Sequence, residues 1–207
     1  MMTRMGLPRL RAAGAAMVVA SLATACSTAD PPRDTETPDA AALRVRTVAG
    51  AERLDERTRA DVEGAVGDVL SAYVVEAFLG DHPREEFVRS FESFTGEAAR
   101  DAARDIDLLT AAAVPDATSV LATELDARLS FLTQGRTVHG GTATVHFVFE
   151  ATRDDGSTQP ITLDGRFMMG AEDGTWSVFG YDVRFDDGDG RPVEVESGSP
   201  SGTGLSS

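Results

Sequence analysis

The sequence predicts an α+β domain in which N-terminal helices pack on a curved, four-stranded antiparallel sheet. Three observations support this fold class. Apolar residues recur at helical spacing in residues 54–78, they recur at every second position in runs between residues 124 and 185, and short Asp-Gly turns separate the later runs. Strands joined in succession by turns form an antiparallel sheet with one face that needs cover. The helices are expected to supply that cover.

Three helices are predicted before the strands. The first spans residues 54–78, because one helical face collects its apolar side chains, which are Val62, Val66, Val69, Leu70, Tyr73, Val74, Ala77 and Phe78. It ends at Gly80, and Pro83 suits the first turn of a short second helix. Thr95 is the expected N-cap of a third helix. The apolar face of that helix consists of Ala98, Ala99, Ala102, Ile106 and Leu109.

Four strands follow, each predicted from a period of two. Three of them set an apolar face against a polar one, and their apolar residues are Leu125, Ala127, Leu129 and Phe131, then Val145, Phe147, Phe149 and Ala151, then Ile161, Leu163, Phe167 and Met169. The fourth strand covers residues 176–185 and is apolar on both faces, with a bulge expected at Gly180.

The order of these elements resembles the NTF2-like (cystatin-like α+β) superfamily over about residues 55–186. The resemblance rests on helices followed by a meander, on the segment FESFTGEAARDAARDIDLLT, and on a last Trp-containing strand after an Asp-Gly turn. It implies a cone-shaped pocket between sheet and helices. In the superfamily this pocket is an active site in ketosteroid isomerases and dehydratases, and a binding or assembly surface in other members, including cell-envelope proteins of the Mce-associated type.

The N terminus has the features of an export signal. Arg4, Arg9 and Arg11 precede an uncharged run of about 14 residues, which is too short for a bilayer core that needs roughly 20. The run ends in LATAC, which resembles the lipobox of bacterial lipoproteins, although the favoured leucine stands one position early. The resemblance implies cleavage before Cys26 and lipid attachment to its thiol. An ordinary signal peptide with an incidental Cys26 is the alternative.

We therefore divide the chain into a lipoprotein signal peptide (1–25), a flexible tether (26–50), the NTF2-like domain (51–186) and a disordered tail (187–207). The tether is rich in Pro, Thr and Asp, and the tail in Gly, Ser and acidic residues. All 19 basic residues are arginine, and the chain has neither Lys nor Asn. This bias is typical of a high-GC genome, and with the lipobox it indicates an actinobacterial protein anchored by lipid at the outer face of the cytoplasmic membrane.

The net charge and the residue types that the chain lacks reduce the number of possible functions. Without the three arginines of residues 1–25, 16 arginines stand against 34 acidic residues, a formal charge of −18. This charge repels nucleic acid and anionic lipid headgroups, so neither is an expected ligand. The membrane link is therefore expected to be covalent. The chain offers no lysine base and no second cysteine, and we predict neither a cofactor nor a metal site. By strand parity His146 points away from the helices, which leaves Asp107 as the one helix residue suited to act as a base.

Two functions remain open. The first is a lipid-anchored surface protein whose domain is non-catalytic and binds an envelope protein or a small apolar ligand. Tyr73, Phe147 and Trp176 are its expected pocket-lining residues, and the uncovered sheet face offers a surface on which two copies could pair as a homodimer. The second is an acid–base enzyme of the ketosteroid isomerase or dehydratase type. It would need an inward carboxylate or histidine within a hollow pocket.

Overall fold

A computed structural model describes residues 40–83 and 87–188. The predicted signal peptide with Cys26, most of the tether and nearly all of the tail lie outside these residues. Among the described residues, no helix is both long and apolar enough to cross a membrane.

Helix α1 spans Glu56–Ala77. It begins where the Asp55 side chain accepts a hydrogen bond from the Thr58 amide at 2.8 Å, which satisfies a free donor of the first turn. Its buried residues are Val66, Leu70, Tyr73, Val74 and Ala77, the stripe that its 3.6-residue period predicts. The chain leaves the helix through Gly80, whose φ of +101° favours glycine.

Shorter helices follow. A 3-10 turn covers Val88–Phe91, α2 spans Gly96–Arg104, α3 spans Ile106–Leu109, and a second 3-10 turn covers Ala111–Ala113. Thr95 is the N-cap of α2, as the sequence predicts, and accepts from the Ala98 amide at 3.4 Å. The predicted third helix is interrupted at Asp105, which separates α2 from α3.

Six strands lie within the described ranges and form one sheet. Their bounds are β1 Arg44–Ala49, β2 Gly80–Asp81, β3 Ala117–Gln134, β4 Thr137–Arg153, β5 Thr158–Glu172 and β6 Thr175–Asp186. Strands β3 to β6 pair antiparallel in sequence order. On the free edge of β3, β1 pairs parallel and β2 pairs antiparallel. A bulge in β6 leaves Phe179 unpaired, next to the Gly180 at which we expected one.

The predicted fold class is therefore wrong. The sheet is mixed and six-stranded, with a parallel β1–β3 pair, and is not the four-stranded antiparallel sheet of the predicted NTF2-like cone. The two extra strands come from segments that we assigned to the tether and to a loop between helices. Strand β1 alternates exposed and half-buried residues and carries two arginines, while β2 has only two residues, so neither gives a periodic apolar signal.

The core lies between α1 and the inner face of the sheet. Phe78 stacks on Phe149 with ring centroids 4.4 Å apart, and Tyr73 packs edge-on against Phe167 at 5.2 Å. Phe185 closes the same cluster and is fully buried. Aromatic side chains therefore occupy the space between helix and sheet.

Candidate functional site

The three predicted pocket-lining residues lie in or beside this core. Tyr73 and Phe147 are fully buried, and Trp176 lies at the margin, 8% exposed and 6.2 Å from the Phe131 ring. The Tyr73 hydroxyl donates to the Leu109 carbonyl at 2.5 Å, and burial raises the pKa of Tyr73 well above its ordinary value. Tyr73 and Phe147 thus pack in the interior. Trp176 also borders a groove of about 580 Å³ between α1 and the tips of the β3–β4 and β5–β6 hairpins.

The acid–base candidates do not meet in the interior. Asp107 is exposed in the first turn of α3, and His146 lies exposed on the sheet face away from α1, as its parity predicts. Asp105, the other carboxylate near the core, accepts from the Tyr181 hydroxyl at 2.7 Å. Partial burial and this hydrogen bond raise the pKa of Tyr181. No group of three His, Cys, Asp or Glu side chains within residues 40–83 and 87–188 is arranged to hold a metal ion.

Two rows of polar and charged residues cross the outer face of the sheet, the face away from α1. Backbone register brings one residue from each of five strands into each row. The Thr144 row consists of Arg46, Arg128, Thr144, Arg166 and Asp182. The His146 row consists of Arg44, Asp126, His146, Asp164 and Arg184. Both rows border a shallow depression of about 670 Å³, which Val145 and Gly165 also line.

Ion pairs engage the carboxylates of these rows. Arg44 donates two hydrogen bonds to Asp126, both at 2.8 Å, and reaches Glu124 at 3.1 Å. The Arg44 guanidinium lowers the pKa of Asp126 by hydrogen bonding. His146 Nδ1 lies 2.6 Å from Asp164 Oδ1.

The remaining arginines of the rows fall into two groups. Arg166 pairs with Asp182, and Arg184 lies 3.9 Å from Asp164. Arg46 and Arg128 are both exposed and form no ion pair with any residue that the structure describes. The outer face therefore presents unpaired cationic groups beside paired ones, in a chain that is otherwise strongly acidic.

A repeated motif underlies the two rows. Three strands each contain Asp-x-Arg, as Asp126-Ala127-Arg128 in β3, Asp164-Gly165-Arg166 in β5 and Asp182-Val183-Arg184 in β6. Residues two apart on a strand share a face, so each motif sets an acid and a base side by side on the outer face. The motif is visible in the sequence, but the alternation of charged with apolar residues alone does not distinguish it from an ordinary solvated strand face. The alignment of the motifs into rows depends on the sheet register.

Comparison with known proteins adds no relative. The chain matches no protein-family model, no curated protein and no solved structure.

Proposed function

We propose that this chain is a lipid-anchored protein of the outer face of the cytoplasmic membrane, whose domain is non-catalytic and binds a protein partner through the outer face of its sheet. The observation that carries the binding part is the pair of charged rows on an exposed surface formed by five strands, β1 and β3 to β6. Surfaces that bury polar and charged groups against a complementary pattern gain specificity and orientation from them.

The filled interior of the domain favours a protein partner over a small apolar ligand. Tyr73, Phe149 and Phe167 fill the region in which the sequence predicts a pocket. The groove beside Trp176 is open and includes Asp61 and Arg136, so it lacks the enclosing apolar walls of most small-molecule sites.

An acid–base enzyme finds less support. A general base must reach a substrate proton within hydrogen-bond distance and works best in an environment that tunes its pKa. Asp107 is exposed, and the buried Tyr73 hydroxyl is already committed to a backbone carbonyl.

The anchor is tested by Cys26→Ala. The formal charge of −18 beyond residue 25 disfavours electrostatic binding to anionic lipid, so the thiol is the attachment point that remains. We expect the variant to leave the membrane fraction, whereas the wild type stays there through a high-salt wash. Retention of the variant after that wash would overturn the lipid anchor.

The binding surface is tested by charge reversal at Arg128. Detergent-solubilised membranes should show the wild-type chain in a complex on a native gel, and Arg128→Asp should release it as a monomer. Arg104→Asp, an exposed reversal on α2, is the matched control and should keep the complex. A wild-type chain that migrates as a monomer, or equal loss in both variants, would contradict the proposal.

A further inference from the structure

The charge pattern of the outer face is complementary to itself. In β3 and β5 the arginine lies in the Thr144 row and the aspartate in the His146 row, and β6 has the reverse order. Consider a twofold axis that lies in the plane of the outer face, runs parallel to the two rows and passes midway between them. It would place the Thr144 row of one copy against the His146 row of a second copy, and the His146 row against the Thr144 row. We propose that two copies of this chain pair face to face about this axis, an inference that rests on the binding surface proposed above and names its partner.

This axis sets each strand against the same strand of the second copy, running antiparallel to it. Arg128 then faces Asp126 of the second copy, Arg166 faces Asp164 of the second copy, and Asp182 faces Arg184 of the second copy. Symmetry repeats each contact, so three motifs supply six contacts of opposite charge. Between them, Thr144 faces His146 of the second copy, and a hydroxyl can hydrogen-bond to an imidazole.

Side-chain length suits this arrangement. Packed sheets lie ~10 Å apart, and a long arginine opposite a short aspartate spans such a gap. Strand β1 is the exception, because it places Arg46 opposite Arg44 of the second copy. It lies at the edge of the surface, where Asp126 and Glu124 already hold Arg44.

A second copy fits this face better than a uniformly charged partner. Five arginines of the two rows stand among Asp126, Asp164, Asp182 and the neighbouring Glu124, so a polyanion or a polycation would meet repulsion as well as attraction. The face is also close to neutral, with five arginines against four carboxylates, so a second copy can approach this part of the acidic chain without strong net repulsion.

The size of the face sets the expected strength. Five strands ~4.8 Å apart and about six residues of ~3.3 Å give a patch of roughly 24 by 20 Å on each copy. Two such patches bury on the order of 1,000 Å², which is near the lower limit for specific interfaces. The pairing should therefore be weak and sensitive to salt, because its contacts are between exposed charges.

Co-purification of two differently tagged full-length chains tests the pairing. The wild-type chain with one tag should retain the wild-type chain with the other tag at low salt and release it at high salt. Arg128→Asp in both chains brings two carboxylates together at each of two contacts, and Asp126→Arg in both chains brings two arginines together at the same contacts. Each of these pairs should co-purify at least about tenfold less than wild type.

Mixing the two variants is the decisive step. When one tagged chain carries Arg128→Asp and the other carries Asp126→Arg, opposite charges meet again at both contacts, and co-purification should return. Recovery also shows that both variants fold. If either fails to fold by circular dichroism, Arg166→Asp and Asp164→Arg provide the same test on β5.

Three results would overturn the proposal. They are wild-type chains that do not co-purify at low salt, variants that weaken co-purification without recovery on mixing, and an equal loss in the control Arg104→Asp. Failure here would leave the anchor test at Cys26 unaffected. If a different protein co-purifies and is lost in Arg128→Asp, the proposed binding surface stands and the second copy does not.

Discussion

Phe147 and Val148 are neighbours in β4 whose side chains point to opposite faces of the sheet. Phe147 is fully buried against the helices, while Val148 is half-buried on the outer face. The contrast follows from the two-residue period of a strand. It also explains how the sequence alone placed His146 on the outer face, since His146 and Val148 share a parity.

We expect a charged side chain at position 147 to destabilise the fold strongly. Phe147→Asp places an unpaired carboxylate in the core and removes a ring, which should cost more than about 3 kcal/mol and lower the denaturant midpoint sharply. Val148→Asp is the matched control one position along, and it should shift the midpoint little. Urea unfolding followed by circular dichroism measures both. Equal shifts would contradict the assignment of the two faces.

Among the helices and strands, local pattern predicted the long segments well. Helix α1 and the runs in β3 to β6 lie where the apolar periods place them, because each period records which face of the element is buried. Strand β1 was missed, since its pairing with residues about 80 positions away leaves no local trace. The charged rows were missed for the same reason: the alignment of Asp182 with Arg166 depends on the bulge at Phe179.

Strand β1 is expected to contribute to stability. Thr47 donates to the Glu63 carboxylate from its hydroxyl at 2.5 Å and from its amide at 3.1 Å, which ties β1 to α1. A chain that begins at residue 51 should therefore unfold at a lower temperature than one that begins at residue 40, because it exposes the edge of β3. Glu63→Ala in the longer chain should lower the melting temperature by part of the difference between the two chains. Identical melting temperatures for the two chains would contradict a structural role for β1.

The N-cap of α1 makes the stability of the fold depend on pH. Hydrogen bonds from Thr58, and then from Arg136, lower the pKa of Asp55 to about 2. Because the unfolded value is about 3.9, the capping carboxylate stabilises the fold above about pH 4, and this contribution is lost as the pH falls towards 2. Asp55→Ala should therefore lower the melting temperature at neutral pH, and its gap from wild type should narrow in acid. A gap that stays constant from pH 6 to about pH 2 would contradict the ionised cap.

The molecule as a whole combines an acidic chain with a surface that carries five of its arginines. The net charge of −18 beyond residue 25 opposes association in most orientations of two copies, while each strand that carries Asp-x-Arg offers neighbouring charges of opposite sign on the outer face. A lipid on Cys26 would hold the copies at one membrane surface, where a weak contact between faces is sufficient. We therefore expect the outer sheet face to be the contact surface of a lipid-anchored domain.

Site-specific photo-crosslinking in intact cells is the sharpest test of this contact surface. A photoreactive residue at position 144 replaces an exposed threonine at the centre of the two rows, and the same residue at position 57 replaces an exposed arginine on α1 as the matched control. We predict an adduct in the membrane fraction from position 144 and none from position 57, with mass spectrometry showing two copies of this chain in the adduct. No adduct from position 144, or equal adducts from both positions, would show that the outer face is not the contact surface.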